Sequence, residues 1–258
     1  MDVYWKAFTD LLFQHKQTAT TCPFTLLDIG AKTGRVVLGL LKRAAETSLD
    51  TSNTELIGLD NEPNMLELAA KLESRSSGIS PPVTWSLGTS LALDELPSLQ
   101  QAGKDRTVDL AMLLTAGDGE LEQFFLQLAK VLTPGTGRAY VSLVDIFFTR
   151  LGAGSKSNSE NTYTIPPVEI PSVEYPGIWY RNEMTPSTYQ GHLCIIGEKL
   201  QVVKREKDGR EEEVHCLSDE LQLRVFSEEQ VLGAIKAAGL QVVKVDKVDM
   251  DYFFVLQR

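Results

Sequence analysis

The chain has 258 residues, a length that fits one large domain or a domain with a sizeable insertion. Its hydrophobic fraction of 43% is enough for an ordinary buried core. Its 35 acidic residues outnumber its 25 lysines and arginines, and the formal net charge of −10 disfavours nucleic acid and anionic membrane surfaces as partners. The three cysteines lie at wide spacings, so they predict neither a disulfide framework nor a metal site.

The opening segment predicts an amphipathic helix with an aromatic face, because Tyr4, Trp5 and Phe8 recur near helical spacing. Charged residues interrupt its apolar positions, which is not typical of a signal peptide. No apolar run in the chain approaches the roughly 20 residues of a membrane span. We therefore expect a cytoplasmic protein that makes no membrane contact.

Strands and helices then alternate along the chain. The predicted strands are 24–30, 55–60, 82–90, 108–117 and 137–145. The predicted helices are 33–47, 61–77 and 119–132. In the second of these helices, Pro63 suits the first turn and Asn61 suits the cap. The alternation predicts an α/β fold with a parallel sheet that is covered by helices on both faces.

The alternation stops after the fifth strand. Stretches rich in Gly, Ser, Asn and Pro are followed by two alternating segments around Asp208 and Gly209, which predict a hairpin or a small antiparallel sheet. A helix and two strands then end the chain. We therefore predict three parts, namely a core with a lid helix at 1–145, an inserted β-rich cap at 146–224, and a segment at 225–258 that completes the core.

The stretch LLDIGAKTGR, at 26–35, joins the end of a strand to a glycine loop and the start of a helix. A Walker A loop needs four residues between its glycines, whereas Gly30 and Gly34 have three between them. A dinucleotide-binding loop needs its second and third glycines in register, and neither is in register here. Ligands of open parallel sheets nevertheless bind at the carboxyl ends of the strands, so we expect a ligand at this loop.

The loop resembles the first motif of the class I S-adenosylmethionine-dependent methyltransferases, which reads acid, apolar residue, and then three glycines separated by single residues. The matching positions are Asp28, Ile29, Gly30, Ala31, Lys32, Thr33 and Gly34. Lys32 stands where the family has its middle glycine. The resemblance implies S-adenosylmethionine as cofactor and a Rossmann-like fold, with a seven-stranded, mostly parallel sheet, helices on both faces and an inserted antiparallel β cap.

Later segments extend this resemblance. In the family, the acid at the position of Asp60 accepts hydrogen bonds from both ribose hydroxyls, and a carboxylate suits a vicinal diol because two acceptor oxygens meet two donors. The family's usual Gly-Asp-Ala is Gly88, Thr89 and Ser90 here, so the contact to the adenine amino group falls to a hydroxyl or to backbone. The other cofactor-binding residues that the resemblance implies are Asn61, Met65, Thr115 and Ala116.

The inserted segment narrows the expected function. In the family, such an insertion roofs the acceptor pocket or joins two subunits, and this layout is similar to that of enzymes that methylate amino sugars and other small metabolites. The resemblance therefore implies methyl transfer to a small-molecule acceptor of secondary metabolism. A homodimer formed through the cap is the expected partner arrangement where the insertion joins two subunits. The alternative is a methyltransferase fold without methyl transfer, such as a pericyclase, a cyclase or a noncatalytic partner subunit.

Methyl transfer from a sulfonium depends mainly on orientation and on exclusion of water, and a base helps where the acceptor must lose a proton. Asp118, just past the fourth strand, and His192, in the cap, are the candidate bases. The alternative for Asp118, which the turn composition around it favours, is a solvated turn residue. Aromatic residues are the candidates for the substrate pocket. They are Tyr4, Trp5, Tyr175, Trp179 and Tyr180. Core packing is the alternative for the first two.

Overall fold

The computed structural model describes most of the chain. The chain divides into two compact units. The first consists of Met1–Leu143 together with Glu228–Arg258, and the second of Val144–Ser227. The described residues are 2–18, 22–76, 80–100, 107–114, 121–144, 167–172, 175–184, 188–190, 193–206, 208–224, 226–248 and 251–258. No helix in these ranges is long and apolar enough to cross a membrane.

The helices and strands follow one another in a regular order. They are α1 Asp2–Gln17, β1 Phe24–Ile29, α2 Arg35–Glu46, β2 Thr54–Asp60, α3 Pro63–Arg75, β3 Val83–Leu87, β4 Leu110–Leu114, α4 Leu121–Val131, β5 Arg138–Val144, β6 Val168–Pro171, β7 Ile178–Met184, β8 Thr188–Gln190, β9 Leu193–Arg205, β10 Glu211–Arg224, α5 Glu228–Ala237, β11 Gln241–Val248 and β12 Asp251–Gln257. A short 3₁₀ helix, Leu93–Glu95, lies between β3 and β4.

The first unit contains a seven-stranded sheet in the order β11-β12-β5-β4-β1-β2-β3. The strands from β5 to β3 pair in parallel, whereas β11 and β12 pair antiparallel. The predicted Rossmann-like, mostly parallel sheet is therefore confirmed. The chain leaves β1 toward β2 on one side and later returns to β4 on the other, so the strand order reverses beside β1. In open α/β sheets a ligand binds at that reversal, outside the carboxyl ends of the strands.

The first helix is part of the hydrophobic core. Phe8 is fully buried and Leu12 and Tyr4 nearly so, and they belong to one cluster with Phe24 of β1 and Leu40 of α2. Positions 4, 8 and 12 recur one turn apart, which places their side chains on one face of α1. That face packs onto the sheet unit instead of standing free.

The start of α3 differs from the prediction by one residue. Pro63 occupies the first helical position, as expected, because its fixed φ suits that position and its missing N–H needs no partner there. The residue immediately before it, Glu62, is the N-cap, and its carbonyl accepts the Met65 and Leu66 amides at 3.1 and 3.3 Å. The prediction of Asn61 as the cap is therefore wrong, since it lies one position too early.

The second unit contains an antiparallel sheet in the order β10-β9-β7-β6, with β8 paired to β9. Its long hairpin turns at Gly209, whose φ of 85° lies in the left-handed region, and the Glu206 amide donates to the Arg210 carbonyl at 2.9 Å. The predicted inserted antiparallel cap is confirmed.

A four-residue ion-pair network crosses one face of this sheet. Arg181 of β7 and Arg205 of β9 each contact both Glu169 of β6 and Glu211 of β10, with N···O distances of 2.5–2.8 Å. The hydrogen bonds from the two guanidinium groups lower the pKa of both glutamates. The network ties four strands together on this face.

Replacing Phe8 with Ala should lower the free energy of unfolding by about 3–5 kcal/mol, because it leaves a cavity in a packed core. The matched control lies on the same helix. Phe13 is 64% exposed, so Phe13→Ala should change stability by less than about 0.5 kcal/mol. Urea unfolding followed by circular dichroism measures both, and equal effects would contradict the packing of α1 described above.

Candidate cofactor-binding site

The glycine loop between β1 and α2 contains three residues with left-handed backbone. Gly30, Lys32 and Gly34 have φ values of 68°, 50° and 74°. The Gly34 amide donates to the Ala31 carbonyl at 2.8 Å, and the Leu38 amide donates to the Gly34 carbonyl at 2.9 Å, so the loop runs directly into the first turn of α2. Left-handed backbone at a residue with a side chain costs roughly 1–2 kcal/mol, so Lys32 needs compensating contacts.

Asp60, at the end of β2, supplies such a contact. Its side chain is nearly buried, at 6% exposure, and one carboxylate oxygen accepts the Lys32 amide at 2.7 Å. The other oxygen accepts the Glu62 amide at 3.0 Å. Each carboxylate oxygen can accept a second hydrogen bond, so two acceptor positions remain for a ligand. The sequence predicted a ligand contact for Asp60, and the structure adds a backbone contact on each oxygen.

Backbone hydrogen bonds join the three segments of the site. The Ala31 amide of the loop donates to the Leu59 carbonyl at 2.9 Å, and the Gly88 amide donates to the Asp60 carbonyl at 3.0 Å. Gly88 is also closely packed, because a Cβ there would lie 2.8 Å from Leu96. The loop, the end of β2 and the end of β3 therefore form one connected edge.

Asp28 is the penultimate residue of β1, just before the loop, and is 2% exposed. Its carboxylate accepts the Val37 amide, while its Oδ2 has no hydrogen-bond partner among the described residues. Burial, together with a smaller contribution from the negative charge of Asp60, raises the pKa of Asp28 to about 7. A buried carboxyl oxygen without a donor fits a ligand that carries a positive group.

The remaining predicted cofactor residues of the described chain follow the carboxyl ends of β2 and β3. Met65, on the first turn of α3, is 40% exposed, and Asn61 is exposed just before that helix. Thr89 is exposed and its hydroxyl accepts the Leu91 amide at 3.3 Å, while Ser90 is half-buried. Four predicted residues, Thr115, Ala116, Asp118 and His192, lie outside the described residues.

Tyr4 and Trp5, the two residues of α1 predicted for the substrate pocket, lie within or against the core. Tyr4 is buried in the hydrophobic cluster, and Trp5 packs against that cluster with the Arg43 guanidinium 4.9 Å from its ring centre. Both positions favour core packing, the alternative to a pocket role. The pocket role of these two residues stays a prediction.

The three aromatic residues of the cap do not share one surface. Trp179 and Tyr180 are neighbours on β7, and successive side chains on a strand point to opposite faces. Trp179 lies on the face of the ion-pair network. The Cζ atom of the Arg205 guanidinium stacks over its ring, 4.3 Å from the ring centre. Tyr180 lines a cavity of about 510 Å³ on the other face. Tyr175 is exposed in the turn before β7.

The cavity contains polar residues that the sequence analysis did not select. Asn182 donates to Glu198 at 2.6 Å, and its buried Oδ1 has no hydrogen-bond partner in the described part of the chain. His215 of β10 lies opposite Val202 of β9 and also lines the cavity. Period-two spacing from Tyr180 would have found Asn182, whereas His215 depends on the register between β9 and β10, which the sequence alone does not determine.

A sheet with this strand order, a glycine loop after β1 and an acid at the end of β2 has the fold of the class I S-adenosylmethionine-dependent methyltransferases. The resemblance inferred from the sequence is confirmed. Over 264 residues, which cover 99% of this chain and 87% of the relative, the chain is 29% identical to the N-methyltransferase FrzE of a Cladobotryum species. No protein-family model matches the chain.

Solved structures agree on the fold. One is CalS10, an amino pentose methyltransferase of Micromonospora echinaspora solved with bound S-adenosylmethionine; it has a TM-score of 0.61 and 18% identity, over 98% of this chain and 92% of that one. Another is DesVI of Streptomyces venezuelae, with a TM-score of 0.63 and 17% identity, over 98% and 89% of the two chains.

Replacing Asp28 with Asn should flatten part of the pH dependence of stability. The folded-state pKa of Asp28 is raised from 3.8 to about 7, so the folded protein binds more protons than the unfolded one and loses stability as pH rises between these values. Asp28→Asn removes that loss. Melting temperatures from pH 4 to pH 8 should therefore coincide near pH 4 and separate by pH 7, with the variant higher; parallel curves would contradict the burial cost assigned to Asp28.

Proposed function

We propose that the protein is an S-adenosylmethionine-dependent methyltransferase that methylates a nitrogen of a small-molecule acceptor in secondary metabolism. The observation that carries the proposal is the edge where the unpaired Asp28 oxygen, the left-handed loop and the Asp60 carboxylate come together. The full-length similarity to an N-methyltransferase supports nitrogen as the accepting atom.

The residues present fit the cofactor. Asp60 keeps two acceptor positions for the two ribose hydroxyls. A Cβ at Gly30 would meet no atom within 4 Å, so the amino-acid end of the cofactor has room to approach the backbone of the loop. The unpaired Oδ2 of Asp28 suits a positively charged group, and the exposed Met65 side chain offers an apolar contact for adenine.

Bound there, S-adenosylmethionine supplies a methyl group that its sulfonium has already activated. The protein then has to hold the two reactants in line and to exclude water, which can supply most of the acceleration. An amine acceptor is protonated near neutral pH and must lose a proton before it attacks, so a base close to the acceptor helps. Asp118 and His192 stay our predictions for that base.

The acidic character of the chain supports a small-molecule acceptor over nucleic acid, since a net charge of −10 repels phosphate backbones. CalS10, which has the same fold, is an amino pentose methyltransferase and therefore acts on a small molecule. We also keep the predicted division into core, cap and completing segment, and the cytoplasmic location, as parts of this proposal.

A second copy of the chain is the partner that suits the cavity face of the cap. Five large apolar side chains there are roughly half exposed, a patch on the order of several hundred Å². They are Val168, Ile170, Tyr180, Leu200 and Leu217. A stable dimer buries about 800 Å² per partner, and such a patch can form the centre of that area.

The charges at the ends of β9 support a two-fold arrangement. Along the cavity face this strand reads Glu198, Leu200, Val202 and Lys204, so an acid stands at one end and a base at the other. When two copies meet around a two-fold axis through the middle of the strand, the acidic end of one lies opposite the basic end of the other. The proposed homodimer is therefore complementary in charge as well as apolar at its centre.

The purified protein should bind both S-adenosylmethionine and its demethylated product in calorimetric titration. Asp60→Ala should weaken binding by roughly 1–3 kcal/mol, because it removes the ribose acceptors and a contact that holds the loop. Asp50→Ala is the control, since Asp50 is an exposed carboxylate paired with Lys16 away from the loop. An Asp60→Ala variant with unchanged affinity would place the cofactor elsewhere.

Activity is tested by incubating the protein with S-adenosylmethionine and a panel of small amines, alcohols and thiols, followed by mass spectrometry. The expected product is an amine that has gained one CH₂. Cofactor binding without any methylated product would favour the alternative of a methyltransferase fold used for another reaction or as a partner subunit.

Leu217→Asp should convert the dimer to a monomer, because it buries an unpaired charge at the centre of the proposed interface. Val243→Asp is the matched control, since Val243 is an equally exposed residue of β11 in the other unit. Analytical ultracentrifugation measures the mass of each form. A monomeric wild-type protein, or a dimeric Leu217→Asp variant, would refute the homodimer.

A further inference from the structure

Trp85 of β3 lies across the neighbouring strand and against the glycine loop. In the sheet register it stands opposite Gly58 of β2. Its ring occupies the space that a side chain at position 58 would fill, since a Cβ there would collide with ring atoms Cζ3 and Cε3. The far edge of the ring reaches the loop, where a Cβ on Gly34 would lie 2.5 Å from Cη2.

The two glycines have different reasons to lack a side chain. Gly34 has a left-handed φ of 74°, which glycine adopts at little cost, and the ring leaves no room for a side chain. Gly58 has no left-handed φ, so only the indole ring accounts for the missing side chain. Glycine inside a strand marks a close approach of other atoms. Trp85, Gly34 and Gly58 therefore form one fitted set.

Glu73 of α3 fixes the orientation of the ring. The Trp85 indole N–H donates to one Glu73 carboxylate oxygen at 2.7 Å, and the Val83 amide donates to the other at 2.8 Å. One carboxylate thus ties the start of β3 and the indole to the same helix. A hydrogen bond to a charged acceptor is stronger than one between neutral groups, so this contact orients the ring.

We propose that Trp85 is a positioning residue that sets the shape of the cofactor loop from below. The ring limits how far the Gly34 end of the loop can settle toward the sheet, while the Asp60 carboxylate holds Lys32 from the side. The loop is then fixed in the shape that receives the amino-acid end of the cofactor. This inference rests on the proposed methyltransferase function, because it assigns the loop to S-adenosylmethionine.

Tryptophan fluorescence offers a direct readout. The chain has three tryptophans, and the other two each stack on an arginine, Trp5 on Arg43 and Trp179 on Arg205. Of the three, Trp85 is the one that contacts the cofactor loop in the described structure. A ligand on that loop should therefore change the emission of Trp85.

The test compares full-length wild type with Trp85→Phe and Trp85→Ala, using the demethylated product of S-adenosylmethionine as the ligand. Calorimetry should give a Kd about tenfold higher for Trp85→Ala, because small displacements of positioning groups weaken binding strongly. Phe keeps part of the ring against the loop and should restore most of the affinity. Wild type should show a fluorescence change on titration, and Trp85→Phe should lose it while still binding.

Phe254→Leu controls for general destabilisation, because Phe254 is fully buried on β12, on the opposite side of the sheet from β3. It should lower the melting temperature without changing Kd. If Trp85→Phe keeps the full fluorescence change, or if both Trp85 variants bind as wild type does, the positioning role is refuted and the proposed function stands. If wild type binds no ligand, the proposed function fails and this inference fails with it.

Discussion

The Asp60 carboxylate is the contact on which the carboxyl edge of the sheet depends. It is nearly buried, and it accepts one backbone amide from the glycine loop and one from the residue that caps α3. A buried carboxylate is costly unless donors meet its oxygens, and amide donors to a charged acceptor are the stronger kind. Removing this one side chain would leave the Lys32 and Glu62 amides without their acceptor. The loop and α3 are therefore positioned by the same group that we propose as the ribose acceptor.

Two buried acids at one edge also set the electrostatics of the site. The charge of Asp60 and the burial of Asp28 both favour a protonated Asp28 in the free protein, with a pKa of about 7. A ligand with an ammonium and a sulfonium reverses that preference, since nearby positive charge stabilises the ionised carboxylate. The site is thus better matched to a cationic ligand than to a phosphate, and this agrees with a loop whose glycine spacing does not fit phosphate binding.

The fold was predictable from the sequence because its main features are local or periodic. Apolar runs bounded by turn residues located β1 to β5, and the spacing of Asp28, Gly30 and Gly34 located the loop. What the sequence did not reveal depends on register across strands. The fit of Trp85 over Gly58 becomes visible only when β2 and β3 are aligned residue by residue. Likewise, Trp179 and Tyr180 can be assigned to opposite faces only once β7 has been recognised as a strand.

Lys32 shows why a departure from a motif need not remove the site. Its left-handed backbone costs roughly 1–2 kcal/mol relative to glycine. The contact that the loop makes with Asp60 uses the backbone amide, which every residue except proline possesses, so the substitution leaves that hydrogen bond in place. The lysine side chain is exposed, where its charge contributes on the order of 1 kcal/mol in either direction. The loop therefore requires a left-handed backbone at position 32 but accepts different side chains there. Position 34 requires a left-handed backbone too, and the Trp85 ring against it leaves no room for a side chain.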